Sequence, residues 1–177
     1  TPYLKTDGTD NILTVHVDHS RYADSRWYTG SGIYRNVKLV TVNKLHIPIW
    51  GTYLTTPEIN AKEATIELKI KVENLNGSSD FTLSTRILNN EGQQVAEQHD
   101  NFEISERALE EFTQIFEISN PKLWDCDNPN MYEAITTISA NGEVVDEYST
   151  PFGIRSIEFK VGEGFFLNGK STYMKGV

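Results

Sequence analysis

The sequence predicts an all-β fold built around an immunoglobulin-like β-sandwich. Three observations carry this. Apolar and polar residues alternate at period two in run after run, most strictly in Ala64-Thr65-Ile66-Glu67-Leu68-Lys69-Ile70-Lys71-Val72-Glu73. Such alternation marks a strand with one buried and one wet face. Turn dipeptides (Asn76-Gly77, Asn141-Gly142, Asn168-Gly169) punctuate the runs. Both positions of Asn-Gly tolerate positive φ, which suits a two-residue hairpin turn. Helical periodicity is nearly absent, and short strands at this spacing suit a sandwich.

The elements follow in order. Leu13, Val15 and Val17 alternate with Thr14, His16 and Asp18, which predicts an early strand. Arg26, Trp27 and Tyr28 then precede a Gly30-Ser31-Gly32 turn that leads into a strand-like Ile33–Val37. The next strand ends near Asn43, and Pro48 marks a boundary there. After the run at 64–73, Phe81, Leu83 and Ile87 with Thr85 between them predict a further strand, closed by the longer turn Asn89-Asn90-Glu91-Gly92. Glu106 to Glu111 reads as a charged connection rather than a helical turn. It leads into a strand carrying Phe112, Phe116 and Ile118, and Tyr132, Ala134 and Ile138 mark one more. Trp50, Tyr53 and Trp124 are expected in the core, where large aromatic rings bury most area.

Pro151 and Gly153 interrupt the chain a second time. The segment 44–153 between the two interruptions has about the 100 residues of an immunoglobulin-type sandwich. The flanks 1–43 and 154–177 are each too short to bury a core of their own. The chain opens on Thr1 and reads as part of a longer protein.

Composition excludes some partners. The 177 residues hold 25 Asp and Glu against 16 Lys and Arg, a net charge of −9, with 38% hydrophobic residues. That balance opposes binding to a phosphate backbone or an anionic membrane surface, so no nucleic acid and no membrane is expected. Apolar runs fall far short of the ~20 residues of a membrane span. One cysteine, Cys126, permits no intrachain disulfide. Cysteine usage leaves the compartment open, and a bacterial periplasmic or secreted location fits it.

Candidate chemistry is sparse. Asp18-His19-Ser20 has the residue types of a nucleophilic triad, but adjacent side chains on a strand point to opposite faces. His16, His19, His46 and His99 are scattered, so no metal site is expected. Asp125-Cys126-Asp127-Asn128 lacks the Gly and distal Glu of a calcium loop and reads as a polar turn. Glu63, Glu67 and Glu73 line a wet strand face. No cofactor-binding pattern is present. Around the Gly30–Gly32 turn two readings stand: aromatic packing under a turn, or a loop that offers Trp27 and Arg26 to a sugar.

Three stretches resemble glycoside hydrolase family 2, on its bacterial β-galactosidase-like branch. Asn11–Asp18 with Ser25–Val37 is similar to the end of the family's sugar-binding jelly roll. Pro121-Lys122-Leu123-Trp124 with Asn128-Pro129-Asn130-Met131-Tyr132 is similar to late strands of its immunoglobulin-like domain. Phe152–Phe159, Gly164–Lys170 and Lys175-Gly176-Val177 are similar to the linker, hairpin and first strand that open its catalytic TIM barrel. The resemblance implies residues 1–43 from the jelly roll, 44–153 the sandwich and 154–177 the start of the barrel. It implies a parent that retains configuration while hydrolysing terminal β-D-galactosides in carbohydrate metabolism, with a β-glucuronidase or β-mannosidase as alternative. Both catalytic glutamates would lie beyond Val177, so no catalytic residue is expected in the chain. Asp24, Arg26 and Trp27 would touch the sugar only in the full enzyme. The segment itself would act as a scaffold between sugar-binding and catalytic domains, with homo-oligomer contacts through its exposed flanking strands. The rival reading is a free-standing carbohydrate-binding or protein-interaction sandwich.

Overall fold

A computed structural model describes residues 3–20, 30–60 and 62–174. The chain divides into two compact units, Thr1–Val40 and Thr41–Val177. The second unit carries every strand found among the described residues: β1 Leu45–His46, β2 Thr52–Ile59, β3 Glu63–Asn74, β4 Ser79–Leu88, β5 Gln94–Ile104, β6 Leu109–Ser119, β7 Tyr132–Ala140, β8 Glu143–Phe152, β9 Ile157–Lys160, β10 Gly164–Leu167 and β11 Lys170–Ser171. All pairings are antiparallel, and no helix occurs among the described residues.

Two four-stranded sheets make the body of this unit. In the first, β6 runs along one side of β3, while β1 and β2 follow one another along the other. In the second, the order is β5-β4-β7-β8. Their inner faces share one core that includes Ile66, Leu68, Ile70 and Val72 of β3, Leu83 and Ile87 of β4, and Ile138 of β7. The alternation read from the sequence is the burial pattern of β3: Ala64, Ile66, Leu68, Ile70 and Val72 are buried, while Glu67 and Lys69 face outward. A one-residue slip would turn that whole apolar set to water, so the pattern sets the register.

Polar groups are buried as well: His46, Asn74, Thr85, Gln114 and Thr136. The Thr85 and Thr136 hydroxyls, directly opposed on β4 and β7, hydrogen-bond to each other at 2.9 Å inside the core. Gln114 of β6 is fully buried and reaches across to the other sheet, donating to the Leu83 carbonyl at 3.2 Å and to Asp100 Oδ2 at 2.8 Å. Gln98 donates to the same Asp100 oxygen at 2.8 Å. Asp100 thus points inward from the edge strand β5, a device that discourages further strands from adding there.

The turns divide by type. Asn141 (φ 54°) and Gly142 (φ 81°) close the β7–β8 hairpin, and Asn168 (φ 50°) and Gly169 (φ 73°) close β10–β11. Both are the expected two-residue turns, with positive φ at both positions. Asn76-Gly77 is not: it joins β3 of one sheet to β4 of the other. Neither residue has positive φ. The crossover is held by the buried Asn74, whose Nδ2 donates to the carbonyls of Gly77 (2.8 Å) and Ser105 (3.0 Å) and whose Oδ1 accepts from Asn76 N (3.0 Å). Glu106 to Ala108 forms the expected connection, and β6 begins at Leu109.

Other expectations differ from the structure. Residues 3–20 and 30–43 form no strand, and Leu13, Val15, Val17 and Val37 are exposed. A period-two pattern specifies a face, but a strand also needs a neighbour to take its backbone groups, and no described segment pairs with these residues. Trp50 and Tyr53 are also exposed, at 89% and 64%. Trp50 sits with φ 57° in the turn after Pro48, where its N–H donates to the Tyr148 hydroxyl at 3.0 Å. Tyr53 lies opposite Lys69, on the outer side of its sheet.

Within Thr1–Val40 the described contacts are local. Asp7 Oδ1 accepts from Thr9 N and Oγ1, and the Lys5 and Asn11 backbone and side-chain groups pair with each other. Asp18 Oδ1 accepts from Ser20 N at 2.9 Å, a local turn contact.

Candidate functional site

The sequence-based sugar contacts Asp24, Arg26 and Trp27 lie outside the described residues. Just beyond them, Gly32 takes φ 110° and the Arg35 guanidinium stacks 5.4 Å from the centre of the Tyr34 ring. Ile33–Val37, expected as a strand, forms none: the chain bends at Arg35 and pairs with no strand among the described residues.

The stretches around Trp124, Phe152 and Asn168 converge at one end of the two-sheet body. Gly153 follows the last residue of β8, and the Trp124 side chain lies on its backbone: a Cβ on residue 153 would fall 2.8 Å from Trp124 Cβ and 2.9 Å from its Cγ. Glycine is present because the indole occupies the space of any side chain. Trp124 N donates to the Ile154 carbonyl at 2.8 Å, and Ile154 is fully buried. The Arg155 guanidinium lies 4.7 Å from the centre of the Trp124 ring. Cation–π stacking of this kind holds an arginine while leaving its edges to solvent.

Asn168 joins the hairpin β9–β10 to this end. Its Nδ2 donates to the Trp124 carbonyl at 3.0 Å, its Oδ1 accepts from Ser156 N at 3.0 Å, and its own N–H donates to the Ser156 carbonyl at 2.9 Å. Tyr132 stacks on Phe152 at 5.6 Å and takes the Lys122 N–H on its hydroxyl at 2.9 Å. Asn130 Nδ2 donates to the Leu123 carbonyl at 2.9 Å. The expected polar turn at Asp125–Asn128 is present, with Asp125 Oδ1 accepting from Asp127 N (2.8 Å) and Asn128 N (2.6 Å). Those donors, led by the Asn128 N–H, hold the Asp125 carboxyl below its usual range. Cys126 is exposed.

This end is a joint. The Asn168 amide and the Trp124 and Asn168 N–H groups tie residues 153–156 and the hairpin after them to this end, while Asp125, Asn130 and Tyr132 hold the 122–128 loop. Sequence reading found each motif but missed the joining amide of Asn168, which looked like a turn residue only. It also missed the packing role of Gly153, which looked like a simple interruption. The order Phe-Gly-Ile beside a remote Trp was the available signal.

Elsewhere the shifted carboxylates are surface groups kept ionised by nearby donors. Asp7 and Asp18 are lowered by Thr9 and Ser20, and Glu91 is lowered by the Lys122 ammonium. No group of three His, Cys, Asp or Glu side chains among the described residues is placed to hold a metal ion. No helix among them is long and apolar enough to cross a membrane.

Comparison with known proteins agrees with the joint's motifs. The sequence profile of glycosyl hydrolases family 2 matches residues 46–155. A β-galactosidase of Bacteroides ovatus is 39% identical over 100% of this chain and 21% of its own length. A β-glucuronidase of Formosa agariphila is 33% identical over 99% of this chain and 20% of its own. In three dimensions, a β-glycosidase from Bacteroides vulgatus superposes with a TM-score of 0.75 at 34% identity, over 86% of this chain and 19% of that one. A family 2 glycosyl hydrolase from Bacteroides cellulosilyticus gives 0.73 at 32% identity, over 76% and 17%. The chain therefore spans about a fifth of the length of the curated relatives it matches, and it belongs to glycosyl hydrolase family 2.

Proposed function

We propose that the chain is the joining segment of a β-galactosidase-type enzyme, and that its own role is to hold a sugar-binding jelly roll and a catalytic barrel in fixed relation. Residues 44–153 are then an immunoglobulin-like sandwich, 1–43 the end of the jelly roll, and 154–177 the start of the barrel. The sandwich reading is supported by β2 to β8 in two antiparallel sheets with crossovers at β3–β4, β5–β6 and β6–β7. It is also supported by Tyr132, at the start of β7, whose hydroxyl ties back to the upstream backbone, much as a conserved tyrosine does at the corner of such sandwiches.

The observation that carries the scaffold role is the Trp124–Gly153–Asn168 joint, which ties the hairpin to one end of the core. The parent reaction, retaining hydrolysis of a terminal β-D-galactoside, needs two carboxylates about 5 to 5.5 Å apart. In this reading they belong to the barrel, and Asp24, Arg26 and Trp27 reach the sugar from the jelly-roll side. The β-galactosidase assignment follows the Bacteroides ovatus relative; the β-glucuronidase among the relatives is the second reading.

The test is the product of the complete coding sequence, assayed on aryl β-D-galactoside and aryl β-D-glucuronide. Preference for the galactoside is expected, and preference for the glucuronide overturns the assignment. Gly153→Ala in that enzyme should lower turnover while both active-site carboxylates stay intact; unchanged turnover would count against a positioning role for the joint.

A further inference from the structure

At the end of the body opposite Trp124, the β3–β4 crossover and the β7–β8 turn enclose a recess of about 360 Å³. That lies at the small end of the range for ligand pockets. Its rim is made of amides and hydroxyls: Asn43, Asn76, Ser78, Ser79 and Asn141. Its floor is aliphatic, from Leu45, Ala140 and Val145. Among the described residues no charged one lines it, in a chain of net charge −9.

The rim is built and yet largely unspent. Asn74, 1% exposed, uses its amide to brace the crossover through Gly77, Ser105 and Asn76 N. The left-handed pair Asn141-Gly142 sets the opposite wall. The side chains of Asn76, Ser78 and Asn141 are exposed and make no hydrogen bond to another described residue. Each free amide offers both donor and acceptor, and each hydroxyl does the same. That combination, above an aliphatic floor, matches a ligand with neighbouring hydroxyls on one side and C–H groups on the other.

We propose that this recess binds a neutral saccharide. An anionic sugar is disfavoured: the recess has no Lys or Arg to replace the hydration of a carboxylate. Across Asn141 a second, wider recess carries Asp80 and Glu103, opposed on β4 and β5, which adds negative potential next door. The recess carries this inference whichever glycoside the complete enzyme cleaves.

The experiment is amide NMR on the 177-residue chain, titrated with lactose and separately with glucuronic acid. Lactose should give saturable shifts confined to Asn76, Gly77, Ser78, Asn141 and Gly142, and glucuronic acid should bind at least about tenfold more weakly. Asn76→Ala should weaken lactose binding several-fold. Asn141→Gly, which keeps the turn's backbone conformation, should do the same without disturbing the fold. Absence of saturable shifts at these residues, equal response to glucuronic acid, or undiminished binding in both variants would each overturn the proposal.

Discussion

The indole of Trp124 occupies the place where residue 153 would carry a side chain: a Cβ there would lie 2.8 Å from Trp124 Cβ. The contact couples two segments far apart in sequence and fixes the direction in which the chain leaves β8. Gly153→Ala should destabilise the protein by about 1 to 3 kcal/mol, the range of overpacking in a filled site. The positive-φ argument does not apply at this glycine, so the cost is steric. Urea unfolding should show most of it vanish in a Trp124→Ala background, because the two changes share one contact. A full cost retained in that background would mean the strain lies elsewhere.

Leu68 and Lys69 test the register of β3. Leu68 is fully buried and Lys69 faces outward beside Glu67. Leu68→Ala should cost about 2 to 5 kcal/mol. Lys69→Ala should stay within about 0.5 kcal/mol, as surface changes usually do. A small loss at 68, or a large one at 69, would contradict the assignment of faces.

Asn168 separates two roles of one residue. Its backbone needs φ near 50°, which glycine also adopts, while its side chain ties the Trp124 carbonyl to the Ser156 N–H. Asn168→Gly should therefore keep the β10–β11 turn but loosen the hairpin. Amide exchange should quicken across β9 to β11 and stay slow in β3, β4 and β7. Uniform quickening would show instead that the hairpin and the core open as one unit.

Glu91 and Lys122 give a pH signature. Their contact at 2.6 Å lowers the Glu91 carboxyl and raises the Lys122 ammonium. A lowered carboxylate contributes stability above its unfolded value and loses it as pH falls through the folded one. The Glu91 contribution is thus present above pH 4.5 and disappears below it. The raised ammonium contributes below pH 10.5 and is lost at higher pH. Both groups are exposed, so added salt should weaken the effect. In Lys122→Met, NMR titration should show Glu91 moving up toward 4.5; an unmoved midpoint would assign its shift to something else.

The legible part of this fold is what period two encodes. The alternation of 64–73 gives β3 and its buried face directly, and the spacing of Phe81, Leu83 and Ile87 gives β4. What period two leaves out is the partner. Leu13, Val15 and Val17 alternate as strictly but meet no neighbouring strand among the described residues. Asn76-Gly77 is a turn dipeptide, yet here the chain crosses to the other sheet over a connection braced by the buried Asn74, and the dipeptide alone does not distinguish the two outcomes. Ring size misplaced Trp50 and Tyr53, because area available for burial does not say which face a residue takes. The joint was legible as motifs and not as contacts. The sugar contacts at Asp24, Arg26 and Trp27 rest on resemblance and lie outside the described residues.

Exposed apolar side chains make the last prediction. Leu13, Val15, Val17, Val37 and Leu39 are exposed in the first unit. In the second, Phe159 and Phe165 are cross-strand partners with ring centres 5.2 Å apart, and Ile157 lies on the same face, so β9 and β10 show an apolar side to water. Burying one Phe or Leu gains about 1.5 to 3 kcal/mol. A micromolar association needs about 8 kcal/mol after ordering costs are met, so several such residues suffice and one does not. The 177-residue chain is therefore expected to self-associate in the micromolar range, with light scattering rising with concentration. Phe159→Asp should reverse much of this if the hairpin face is the contact, and Leu13→Asp if the first unit is. A chain that stays monomeric at high micromolar concentration would show that neither face is sticky enough to pair. Association unchanged in the double variant would move the contact elsewhere, with the exposed Trp50 and Tyr53 side chains as the next place to look.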